Sequence, residues 1–192
     1  IEVAKKYKNI YIDTSEVPLV KEIRWLVDEL GAERIFFGTD APCCDPMVEL
    51  KKGTAGWSVR RRIGKGSVSE RGSRDGIGGN KMIVDFHTYV GESMLGQEST
   101  EEDILKNMEE NQVDVSVICP VKTIDPFFER QNEYISDLQR KHSGKLKGFC
   151  RIDPNLGKDS EKILRESVED LELKGLLLHP WEETFAINDK KV

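Results

Sequence analysis

Several short segments of this chain are mostly apolar and do not alternate. They include Arg34–Gly38 (RIFFG), Met82–Phe86 (MIVDF), Val115–Val121 (VSVICPV), Lys147–Ile152 (KGFCRI) and Lys174–Leu178 (KGLLL), with Asn9–Asp13 (NIYID) as a weaker sixth. A strand that is apolar on both faces needs cover on both faces. Parallel sheets joined by crossover helices supply that cover. The intervening stretches have helical spacing. Pro18 opens a helix with Leu19, Val20, Ile23, Leu26, Val27 and Leu30 on one side, and Gly31 marks its stop. Further helices are predicted over 100–112, with Ser99-x-x-Glu102 as a capping box, over 126–142 and over 159–172. The pattern predicts an α/β fold of about six parallel strands. Such folds are open doubly wound sheets or (β/α) barrels, and both gather function at the carboxyl ends of the strands.

One stretch breaks the alternation. Residues 53–81 (GTAGWSVRRRIGKGSVSERGSRDGIGGNK) hold seven Lys/Arg against two Asp/Glu, and eight of the sixteen glycines. With a net charge of −6 overall, the rest of the chain carries about −11, since −6 − (+5) = −11. The stretch has no period of 2 or 3.6 and reads as a linker. It separates a first piece, 1–52, from a second piece, 82–192. Arg60-Arg61-Arg62 would attract phosphate, but the acidic remainder argues against nucleic acid as a partner. No apolar run approaches the roughly 20 residues of a membrane span, so no membrane partner is expected. The cysteines, Cys43, Cys44, Cys119 and Cys150, form no CxxC pair. Cys119 and Cys150 read as small buried hydrophobes, as in a reducing cytoplasm. The first residue is Ile1 rather than Met, which suggests a fragment or a processed product.

Three potential metal ligands follow three of the apolar strands: His87 in DFHTYVG, His179 in GLLLHPW and Asp40 in FFGTDAP. One histidine at a strand end is most simply a packing residue, but three donors at equivalent ends are harder to assign to chance. Carboxylate and neutral imidazole suit zinc, manganese or iron. A metal there would bring its water to a pKa near 7, and an adjacent Asp can exchange a proton with it. His142, in RKHSGK, reads as a solvated helix-end residue.

The strings DFHTYVG, GFCRIDPN, GLLLHPWEETFAIND and IFFGTDAPCCDP resemble the landmarks of the amidohydrolase-related (amidohydrolase 2) family. The resemblance spans both pieces and omits the linker. It implies a metal-dependent (β/α) barrel that hydrolyses, or decarboxylates without oxidation, a small carboxylic-acid or cyclic substrate. It also implies metal ligands at His87, His179 and Asp40, with Asp40 as acid/base and zinc, or manganese, as the cofactor. In that family the DFH motif comes first and the GTD motif near the end; here the order is inverted. Residues 1–52 therefore resemble the last two strands of a barrel, and 82–192 its first four. The second His of the family's His-x-His is Tyr89, which is assigned with Trp181 to substrate binding. Two origins are open: a natural permuted protein, or tandem genes read as one. The second is supported by Met82 at a family-like start. The alternative function is an inactive barrel fragment. With strands missing, a homo-oligomer would complete the barrel by covering its open edges. In a closed barrel the last strand adjoins the first, so the segment before Asp40 should lie beside the strand carrying His87.

Overall fold

The computed structural model of the chain describes residues 1–57 and 82–190. They form two compact units. The first comprises the described residues of Ile1–Thr88 with Lys106–Ser116; the second comprises those of Tyr89–Leu105 with Val117–Val192. Residues 58–81 of the expected linker, with Arg60–Arg62, lie outside the described residues. Residues 53–57 close a helix, because the helix beginning at Pro46 runs on to Trp57.

In the first unit the order is α1 (Glu2–Lys6), β1 (Ile12–Asp13), α2 (Val20–Leu30), β2 (Ile35–Phe36) and α3 (Pro46–Trp57), followed by the start of β3 (Val84–Glu92). Helix α2 begins at Val20, with Leu19 as its extended N-cap rather than opening at Pro18, and it ends at the Gly31 stop that its sequence predicts. Gly31 sits at φ +89°, a conformation that side chains rarely adopt. The apolar face of α2 packs Leu26 and Val27 against Ala32 and Ile35. Strands β1 and β2 pair in parallel, Ile12 with Ile35 and Asp13 with Phe36. Arg34 is buried, yet its guanidinium donates to the carbonyls of Ala4 (3.0 Å), Tyr7 (2.9 Å) and Ile10. It thereby answers a carbonyl in the last turn of α1 and two in the segment that follows it.

Beyond β2 the chain stays extended and runs alongside β3. Phe86 N donates to Phe37 O (2.8 Å), Asp40 N donates to His87 O (2.8 Å), and Ala41 bridges Thr88 in parallel. Tyr11, Phe36 and Phe86 stack across the three strands at centroid separations of 4.8 and 4.5 Å. The neighbour relation expected between the GTD and DFH segments is therefore present.

The second unit contains the remainder of β3, β4 (Glu98–Ser99), the start of α4 (Glu101–Asn111), most of β5 (Val115–Pro120), α5 (Glu129–Lys141), β6 (Leu146–Arg151), α6 (Lys158–Glu169) and β7 (Gly175–Leu177). Its strands stand in the order β4-β3-β5-β6-β7. β6 and β7 are parallel, while β4 pairs antiparallel with the end of β3. The fold is thus mixed α/β with a mostly parallel sheet, and no closed barrel forms among the described residues. Helix α5 buries Asn132 and Gln139 against β6. Asn132 both accepts from Arg151 N (2.9 Å) and donates to Arg151 O (3.0 Å), and Gln139 accepts from Gly148 N (2.8 Å). Buried amides are tolerated here because backbone groups answer them. Gly175 leaves room for the Phe149 ring, which would lie 2.5 Å from a Cβ at that position.

Four local expectations are corrected. Strand β3 does not end before His87; it continues to Glu92, because Gly91 and Glu92 pair with Ser99 and Glu98. The cap of α4 is one residue later than expected: Thr100 N donates to Asp103 Oδ2 and Asp103 N donates to Thr100 Oγ1. Helix α5 starts at Glu129, after Phe128 at φ +59°. His142 is not simply solvated; its Nε2 lies 2.7 Å from Glu101 Oε1. Cys119 and Cys150 are buried, and burial pushes the Cys150 thiol up to about 11. No helix among the described residues is long and apolar enough to cross a membrane.

Candidate functional site

The parallel run of 37–41 beside β3 sets two of the expected ligands together. His87 Nε2 lies 3.6 Å from Asp40 Oδ1, and both side chains retain some exposure. Asp40 has φ +54° and ends the extended segment. Its carbonyl accepts from Cys43 N (2.9 Å) and Cys44 N (3.3 Å), so the chain turns back and returns Cys44 toward Asp40. Glu16, from the loop after β1, completes a cluster in which one donor atom each of Glu16, Asp40 and Cys44 lies within 4.8 Å of the others.

Asp85, two residues before His87 on β3, braces this arrangement. It accepts from Thr39 Oγ1 (2.7 Å), Thr39 N (3.0 Å) and His87 N (3.2 Å). The bonds fix the backbone of both ligand-bearing segments. Burial drives the Asp85 carboxyl up to about 7, against the pull of these three donors. Gly38 lets the Asp13 carboxylate approach: a Cβ there would meet Asp13 Oδ2 at 2.3 Å. Burial lowers the His87 pKa, while Asp13 and Glu16 raise it. Burial, with Glu49, Asp40 and Glu16, raises the Cys44 thiol. A neutral imidazole, carboxylates and a thiolate are the donor types zinc takes, so these residue types fit that ion once Cys44 gives up its proton. Glu16 and Cys44 were not among the sequence candidates. The available signal was the position of Cys44 four residues beyond Asp40, on the same loop.

His179, Tyr89 and Trp181 belong to the second unit. His179 follows β7, and its Nδ1 accepts from Glu182 N (3.2 Å), which fixes the tautomer with the proton on Nε2. Trp181 lies 6.4 Å from the His179 ring by centroids and is 82% exposed. Tyr89 is buried, and packs with Cys119 and Val121 against Phe149 and Leu177.

At the carboxyl ends of β5, β6 and β7 the second unit also holds a charged cluster centred on Arg151. Arg151 is fully buried. Its guanidinium donates to Pro120 O (3.2 Å), to Glu183 Oε1 (2.6 Å) and to Glu182. Lys122 Nζ donates to the same Glu183 oxygen at 3.0 Å. Both cations lie over the Phe128 ring, 5.1 Å (Lys122) and 5.0 Å (Arg151) from its centroid. The chain matches no family model, no curated protein and no solved structure.

Proposed function

We propose that the chain is a metal-dependent hydrolase or nonoxidative decarboxylase for a small carboxylic-acid or cyclic substrate. Its scaffold is a partial (β/α) barrel of the amidohydrolase-related type, in permuted order. The observation that carries this reading is the approach of Asp40 to His87 through parallel pairing of two segments far apart in sequence. Parallel pairing within each unit supports the barrel part: β1 with β2 in the first, and β6 with β7 in the second.

Asp40 and His87 would hold a divalent ion, zinc before manganese, and Glu16 and Cys44, clustered with Asp40, would be further donors in the first unit. When bound, the metal supplies an activated water or polarises a substrate carbonyl. Asp40 would accept and return a proton, and Asp85 holds the backbones of Thr39 and His87 in register. Tyr89 and Trp181 are proposed to contact substrate, and a second copy of the chain to cover the open strand edges.

Metal analysis of the purified, zinc-dialysed chain tests this, together with release of carbon dioxide from aromatic carboxylic acids. One zinc per chain, lost in D40N and H87A, is expected. A folded chain that retains no stoichiometric metal overturns the reading. H179A separately tests the metal role that the resemblance gives His179. The burial of Tyr89 in an apolar cluster, where the family has its second histidine, favours the second reading, an inactive barrel fragment. Metal-free, aggregated protein on size exclusion would support that one.

A further inference from the structure

The charged cluster of the second unit has an uneven construction. The Glu183 side chain is completely buried and held by both Lys122 and Arg151, and its carbonyl accepts from Asn155 Nδ2 at 2.6 Å. The Glu182 side chain also reaches Arg151 but is 28% exposed. Arg151 Nε–H is buried and meets no acceptor among the described residues, and neither does Glu183 Oε2 meet a donor. Arg151 and Lys122 together carry +2, and Glu183 offsets one charge. The cluster without Glu182 is therefore a buried site of net +1 with a guanidinium fork at its centre, and one external carboxylate balances it.

We propose that Glu182 occupies a carboxylate-binding site, and that a small monocarboxylic acid exchanges with its side chain at Arg151. A planar carboxylate matches the guanidinium fork in a bidentate pair, whereas Glu182 reaches only Nη2 and leaves the adjacent Nε–H without an acceptor among the described residues. A phosphate dianion would leave a net −1 beside buried Glu183, and desolvated charge of that kind is strongly disfavoured. The acid's body has an apolar surface to meet. Phe149 lies two residues before Arg151 on β6, and Leu177 is its register partner on β7, so all three point to one face of the sheet. Both apolar side chains are only partly buried there. This inference rests on the second unit alone and requires no metal.

The test is titration of benzoate into the full chain in the presence of EDTA, by calorimetry and by the Nε–H resonance of Arg151. Saturable one-to-one binding that shifts this resonance is expected. E182Q removes the tethered competitor and should tighten benzoate by about tenfold or more. R151K keeps the charge but loses the fork, and should weaken it by about tenfold. Inorganic phosphate should not saturate over the same range. The proposal is overturned if neither the parent chain nor E182Q binds benzoate. It is equally overturned if E182Q leaves the affinity unchanged, or if phosphate binds as well as benzoate. Because Glu182 is partly exposed, E182Q decides the question even if R151K fails to fold.

Discussion

Replacing Thr39 with Val tests the brace beneath Asp40 and His87. The Thr39 hydroxyl is buried, donates to Asp85 Oδ2 at 2.7 Å and accepts from Ala41 N at 3.3 Å. Valine keeps the shape but removes both bonds. A hydrogen bond to an ionised partner is worth about 1.5–3 kcal/mol and a neutral one about 0.5–1.5 kcal/mol. The cost therefore depends on whether Asp85 is charged. Its carboxyl is raised from 3.8 to about 7, so the folded chain holds a proton that the unfolded chain releases across that window. Asp85 thus makes stability fall as pH climbs from 3.8 to about 7, and the Thr39 bond opposes this loss by favouring the ionised form. T39V should cost about 3 kcal/mol at pH ~8.5, with Asp85 ionised, and about 1–2 kcal/mol at pH ~5.5, with it protonated. Urea unfolding followed by circular dichroism at both pH values measures the difference, and T39V/D85N should lose its pH dependence. An equal cost at both pH values, or a larger one at the lower pH, refutes the coupling.

Three further outcomes follow from single sites. Cobalt loaded in place of zinc should show a thiolate charge-transfer band that C44S abolishes; a band unchanged in C44S removes Cys44 from the donor set. G175A forces a Cβ to within 2.5 Å of the Phe149 ring and should cost about 1–3 kcal/mol in thermal or urea unfolding. Combining it with F149A should cost less than the sum of the two single changes. T100A breaks the reciprocal bond with Asp103 at the start of α4 and should lower stability by about 1 kcal/mol, whereas S99A should not act through this cap.

Local signals carried the parts of this protein that are decided locally. The apolar face of α2 and its Gly31 stop lie within about three turns of chain, so spacing alone located the helix. The continuous apolar runs marked β5, β6 and β7, although of the three only β5 is buried along nearly its whole length. Asp40 and His87 were legible as donors, each following or lying within such a run. Their 3.6 Å approach was not, because it depends on backbone pairing between residues 37–41 and 86–88. The length of β3 escaped for the same reason: its last residues are strand only because Ser99 and Glu98 pair with them. Arg151 shows the limit most clearly. An arginine in an apolar run has no local reason to be buried, and composition alone places it in water. Only the fold assembles Glu182, Glu183, Pro120 and the Phe128 face around it, and only those partners make the burial of its charge tolerable.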